Sequence, residues 1–213
     1  MPRRTMRLED TNRLEAFSDG VMAVIITIMA FGVKPPDGFR SADLHGLAPE
    51  LLVYVLSFVM IGIYWNNHHH LLRAADRMNA SVMWSNLFLL FWLSLFPVVT
   101  AWVGKYPNHA LPAAAYGVVG LWAGFAYWVL VRTIIRANGT DSTVSHAMGN
   151  DLKGNLSLLF YAAGIGLAAV KAVSPIASYV LYGIVAVMWL IPDRRLVEVE
   201  RTSTYKDHGF PSD

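Results

Sequence analysis

Long apolar stretches separated by short polar ones organise this sequence. Runs at about 17–33, 50–66, 82–104, 112–131, 156–173 and 176–192 each approach the roughly 20 residues that a helix needs to cross a bilayer core. The pattern predicts an all-α integral membrane protein, a six-helix bundle with one span per run. Residues 1–12 read as a polar cytoplasmic leader, 13–192 as the six-helix domain with its first helix at 13–33, and 193–213 as a charged cytoplasmic tail. The first run ends in "MAFGVKPPDGF", which lacks the small-x-small cleavage pattern of a signal peptide, so it is expected to remain as a span.

The breaks between runs carry their own chemistry. Two prolines and a glycine in "VKPPDGF" stop the first helix, and the second starts just after Pro49. The short loop "AADRMN" makes the second and third helices an antiparallel hairpin. Pro97 removes a hydrogen bond inside the third helix and crowds the carbonyl of Leu93, which predicts a kink. Gly120-x3-Gly124 in the fourth helix offers a small face for close helix packing. The loop "ANGTDSTVSHAMGND" is polar, and Ser174-Pro175 is a very short turn between the last two helices. No internal repeat is visible.

Composition sharpens this picture. Hydrophobic residues make up 55% and charged residues 15%, against roughly 25% charged in soluble domains. Thirteen of the 17 basic residues fall on one side of the expected membrane: Arg3, Arg4, Arg7, Arg13, Arg73, Arg77, Arg132, Arg136, Lys153, Arg194, Arg195, Arg201 and Lys206. Lys34, Arg40, Lys105 and Lys171 fall on the other. The positive-inside rule then puts both termini in the cytoplasm, as for a multi-pass protein of the cell inner (plasma) membrane. The net charge of +2 describes topology and implies no nucleic-acid partner. Without cysteine there are no disulfides and no thiolate metal sites.

Polar side chains concentrate in the first three spans, which hold Ser18, Asp19, Thr27, Ser57, Asn66, Asn67, three histidines, Ser85, Asn86, Ser94 and Thr100. Such groups in hydrocarbon are costly unless they face protein or water. The first three helices are therefore the expected functional core, and the last three a scaffold toward lipid. In the first helix Val24, Thr27, Ile28 and Phe31 follow i, i+3, i+4, i+7 spacing and form one stripe. That stripe has two readings: ordinary packing against neighbouring helices, or the lining of a narrow pore with an apolar constriction and one hydroxyl layer. Asp19 is either a helix N-terminal carboxylate stabilised by the dipole or part of a network joining the first three helices. Arg13, Asn67, a histidine, Trp84 and Asn86 belong at the same inner level, and Trp65 and His69, four apart, share a helix face. His68-His69-His70 does not form a metal site, because successive helical residues point about 100° apart. There is no Thr-Val-Gly-Tyr-Gly filter, no Walker loop, no Gly-x-Ser-x-Gly elbow, no His-Glu-x-x-His and no arginine ladder. An enzyme is not expected, and no cofactor.

These residues carry a resemblance. "RLEAFSDG", with Arg13, Phe17, Ser18, Asp19 and Gly20, resembles the signature of the transmembrane protein 175 family, the lysosomal potassium channel and its bacterial homologues. "YWNNHH" and "WSNLFLLFWLSLFP" are similar to the family's next two blocks. The match covers the first three helices strongly and the last three by layout. The single six-helix unit resembles bacterial members, which the family pattern makes homotetramers. The resemblance implies a potassium-preferring cation channel, with the first helix of four subunits lining the pore and permeant K+ as its cargo. Val24, Ile28 and Phe31 then fall at the apolar constriction and Thr27 at a threonine layer linked to selectivity. Arg13, Ser18, Asp19, His68 or His69, Trp84 and Asn86 fall in the inner polar network. Many members carry leucines at the constriction, where this chain has a smaller Val24 and a larger Phe31.

Two other functions fit the residues. A proton-coupled transporter would use Asp19 and a helix-2 histidine as carriers. A noncatalytic membrane assembly subunit would pass no ion by itself.

Overall fold

The computed structural model describes residues 2–36, 38, 46–75, 77–139, 152–170 and 174–190, with side chains from Thr11 onward. The tail from Asp193 and most of the polar loop before Leu152 lie outside these residues, as do Arg40 and Lys171. The described secondary structure is helical: α1 (Pro2–Ala30), α2 (Ala48–Arg73), α3 (Ala80–Ser94), α4 (Phe96–Lys105), α5 (Ala110–Asn138), α6 (Leu152–Ala169) and α7 (Ile176–Leu190).

Local chemistry sets the boundaries. α2 begins with proline in its first turn and Glu50 beside the positive end of its dipole, and finishes with His70 and Arg73. Asn79 caps α3, its side chain accepting from the Val82 N–H at 3.0 Å. The third apolar run is interrupted at Leu95, two residues before Pro97, and resumes as α4. The proline thus acts where the sequence places it. α5 closes on Gly139, whose N–H still donates to the Ile135 carbonyl at 2.8 Å and whose φ of 98° then turns the chain out of the helix.

Among the described residues, four segments are long and apolar enough to cross a membrane: Ala48–Arg73, Ala80–Lys105 (α3 and α4 together), Ala110–Asn138 and Leu152–Ala169. The protein is a multi-pass membrane protein. α7 is apolar but only 15 residues long. α1 contains most of the run at 17–33 and extends further toward the N-terminus. The polar leader is helical and continuous with it, and the helix stops at Ala30. Phe31, Gly32 and Val33 continue as a tighter turn with i→i−3 bonds. From Gly20 to Ala30 the apolar part is roughly 16 Å long at 1.5 Å per residue, about half a bilayer core. Polar groups of α1 that lie within the bundle have to be covered by protein.

The packing order does this. α1 lies against α2, α3 and α4, while α5 packs on the far side against α3, α4, α6 and α7. Arg77 N–H donates to Asn138 Oδ1 at 2.7 Å, so the α2–α3 loop and the end of α5 share one face of the bundle. Glu50 lies beside Gly104 and accepts from the Lys34 N–H at 3.4 Å, gathering the opposite ends of α1, α2 and α4. Both contacts agree with the alternating helix directions read from the basic residues.

The scaffold half is held by tyrosines. Tyr182 stacks on Tyr116 and Tyr161 at 5.6 and 5.4 Å, and its hydroxyl donates to the Ala113 carbonyl at 3.2 Å. Gly120 of the small face receives the Tyr161 ring, and Gly124 faces Leu158. The small residues admit side chains from α6, a different use from backbone-to-backbone contact.

Candidate pore-lining face and inner polar network

One face of α1 is sealed and the opposite face is bare. Leu14, Ser18, Met22, Ile25 and Met29 are buried against the bundle. On the other side Phe17 is 52% exposed, Val24 54%, Ile28 48% and Phe31 86%, and Thr27 is exposed with them. The stripe drawn from helical spacing is the uncovered one. Ordinary packing within the chain does not account for it, since no neighbouring helix of the same chain covers it. α1 also borders an open groove, between Gly20, Val24 and Ile28 on one wall and Ser94, Pro97 and Val98 on the other.

Thr27 is the polar position in the stripe. Its hydroxyl lies 2.9 Å from the Val24 carbonyl and 3.1 Å from that of Ala23, one and the same helix. The proton is thus committed to the backbone. The remaining lone pairs of the oxygen are available on the bare face, as an acceptor and not as a donor.

At the inner end the sealed face carries a directed chain of hydrogen bonds. Ser18 Oγ donates to the Leu14 carbonyl at 2.8 Å and accepts from Asn86 Nδ2 at 2.9 Å. Asn86 Oδ1 then lies 2.7 Å from His68 Nε2. Because Oδ1 is an acceptor, Nε2 carries the histidine proton. Ser18, Asn86 and His68 all have 0% exposure. One residue each from α1, α3 and α2 are tied together where no water reaches. His68 Nδ1 is buried without a partner among the described residues, which fits the neutral tautomer with its proton on Nε2.

A second cluster lies closer to solvent. Trp65 Nε1 donates to Asp19 Oδ1 at 3.0 Å, and the Trp65 ring stacks on His69 at 6.0 Å. His69 Nδ1 lies 2.7 Å from Glu15 Oε1, and Arg73 Nε lies 3.6 Å from the same oxygen. The structure thereby separates the two histidines: His68 faces the core and His69 faces α1. Glu15, Asp19 and His69 place one ligand atom each within 4.8 Å of one another. Arg73 beside Glu15 makes this an ion-pair cluster at the start of the bundle. Arg13 and Trp84 do not join the network in the single chain. Arg13 is exposed, and Trp84 is 72% exposed with no hydrogen bond among the described residues.

Several contributors were not legible as site residues. Glu15 sits inside the "RLEAFSDG" motif, but nothing in its spacing names His69 as partner. Deeper in the bundle, Ser57 donates to the Val53 carbonyl at 2.8 Å and accepts from Thr100 at 2.7 Å and from the Tyr116 hydroxyl at 3.0 Å. This node ties α2, α4 and α5 at mid-depth, on the same principle of keeping hydroxyls paired away from water.

Comparison with known proteins gives the family and the fold. The family model described as "Endosomal/lysosomal potassium channel TMEM175" matches residues 13–97, from Arg13 through the break at Pro97. A protein of Chryseobacterium sp. (strain P1-3) named a potassium channel is 44% identical over 184 residues, covering 86% of this chain and 94% of that one. A protein of Streptomyces collinus, also named a potassium channel, is 32% identical over 187 residues, 81% of this chain and 89% of that one. The crystal structure of a lysosomal potassium-selective channel TMEM175 homolog from Chamaesiphon minutus superposes with a TM-score of 0.74 at 23% identity, covering 87% of this chain and 98% of that one. That likeness concerns the fold.

Proposed function

The chain belongs to the TMEM175 family, and from that premise we propose that it is a potassium-preferring cation channel of the cell inner membrane. Four copies surround one pore, with α1 of each subunit facing the axis. The observation that supports this reading is the two-faced burial of α1, with Met22 at 0% exposure and Ile28, six residues on and about 120° around the helix, at 48%. An apolar face left bare beside an open groove is costly in no single copy of a membrane protein, but a polar threonine oxygen within it is better placed against water and ions than against lipid. One helix per subunit cannot enclose a pore, so several copies are required.

In this reading Val24 and Ile28 form apolar rings on regular helix, and conduction is throttled where they exclude water. Phe31, on the turn beyond Ala30, stands at the outer mouth. Between them the Thr27 oxygens present a ring of acceptors without competing protons, which suits a partly dehydrated monovalent cation. Ser18, Asn86 and His68 hold α1 against α2 and α3 and so keep the rings in register. They are positioning residues.

Proton-coupled transport has less support. It needs an ionisable relay, whereas His68 is locked in one tautomer by a donor chain and Asp19 is occupied by the Trp65 indole. The experiment is the reversal potential of the purified protein in a planar bilayer under opposed potassium and sodium gradients. A shift toward the potassium potential, with Ile28→Asn raising conductance, upholds the channel. Silence from both wild type and Ile28→Asn removes the pore assignment and leaves the assembly-subunit reading.

A further inference from the structure

A second cavity lies far from α1, in the scaffold half. A narrow, partly open cleft lies between α2, α5, α6 and α7. Its floor is apolar, formed by Met60, Tyr161 and Val185, and Gly124 leaves one wall without a side chain. Toward the inner end of the bundle the lining changes character. Trp128 and Trp189 stand there with Asn67 and Ser157, and the Trp189 indole is pinned by donating to Ser157 Oγ at 2.7 Å. Each of the two tryptophans carries a cation on its ring. The Arg132 guanidinium lies 5.3 Å from the Trp128 centroid, and Lys153 Nζ lies 5.9 Å from that of Trp189. One turn deeper, the Tyr64 hydroxyl lines the cleft with no hydrogen bond among the described residues.

This gradient matches one kind of molecule. An apolar slot, an unpaired hydroxyl above it, an aromatic belt and then two fixed positive charges repeat, in order, the acyl chain, ester, interface and phosphate of a lipid. The ends of α5 and α6 that bear Arg132 and Lys153 are those the basic residues assign to the cytoplasm. We propose that the α2–α5–α6–α7 cleft binds an anionic phospholipid of the cytoplasmic leaflet. One acyl chain occupies the slot past Gly124, Arg132 and Lys153 hold the phosphate, and Tyr64 donates to an ester carbonyl. The site would make stability of the scaffold half depend on membrane charge, independently of what passes through the pore.

Native mass spectrometry of the full chain, with phosphatidylglycerol or phosphatidylcholine added at matched concentration, tests the assignment. Wild type should retain phosphatidylglycerol more strongly than phosphatidylcholine. Arg132→Gln/Lys153→Gln should weaken phosphatidylglycerol retention on the order of thirtyfold, from two basic residues near an anionic surface, and leave phosphatidylcholine unchanged. Gly124→Leu, which fills the slot, should reduce retention of both, while Gly124→Ala retains them. Equal binding of the two lipids by wild type overturns the proposal, as does unchanged phosphatidylglycerol affinity in the double variant. Arg132 is exposed and Lys153 half-buried, and neither substitution touches Gly124, so the double variant's result stands even if Gly124→Leu fails to assemble.

Discussion

His68 Nε2 and Asn86 Oδ1 lie 2.7 Å apart, and both side chains are wholly shielded from solvent. The bond closes a chain that begins at the Leu14 carbonyl and runs through Ser18, so α1, α2 and α3 share a single donor direction. A buried network of this kind is stable when fully paired and costly when one member is removed.

Asn86→Ala should accordingly leave the His68 N–H without its acceptor and cost about 1–3 kcal/mol. Asn66, exposed on α2 with no hydrogen bond to other described residues, supplies the control: Asn66→Ala should change stability by no more than about 0.5 kcal/mol. Thermal unfolding of the purified protein in detergent compares the two, and equal midpoints would show the network to be dispensable.

The two adjacent histidines should respond differently. His68→Ala breaks the buried chain and should cost about 1–3 kcal/mol. Glu15→Gln weakens the contact with the partly exposed His69 and should cost at most about 1 kcal/mol. Its effect should also shrink at high salt, because exposed charges are screened and buried hydrogen bonds are not. Unfolding measured at low and high salt separates them, and a salt-sensitive His68→Ala would contradict the assignment of roles.

Thr27 offers a substitution series at nearly constant volume. Thr27→Ser keeps the acceptor oxygen and should preserve potassium preference. Thr27→Val keeps the shape, removes the oxygen and should move the bi-ionic reversal potential toward that of a non-selective pore. Identical reversal potentials in all three forms would place selectivity elsewhere in the chain.

The glycines of the scaffold should divide by what faces them. Gly120→Ala drives a methyl group into the Tyr161 ring, an overpacking that costs typically 1–3 kcal/mol, at about that order here. Gly166 has nothing within 4 Å of the same position, so Gly166→Ala should be neutral or stabilise by up to about 1 kcal/mol through helix propensity. Melting temperatures that fail to separate the two would mean that the tyrosine cluster readily repacks.

Apolar run length and the positions of Pro49 and Pro97 were enough to locate most helices, because hydrophobicity and backbone restriction act within a few residues. They also indicated which half of the bundle holds the polar groups. For α1 the structure adds that the helix extends back through the leader and passes at Ala30 into a tight turn that ends at Val33. The "RLEAFSDG" motif and the two blocks after it carried the family. What the sequence left open was which residue of each pair faces which way. α1 is apolar all round past Gly20, so Met22, Ile25 and Met29 make as good a stripe as Val24, Ile28 and Phe31. His68 and His69 differ only by a turn of about 100°. Their choice was made by long-range contacts: α2, α3 and α4 close over one side of α1, and Asn86 arrives from another helix to claim His68. Helical spacing defines faces, but only the helices that come to lie against them decide which face is buried.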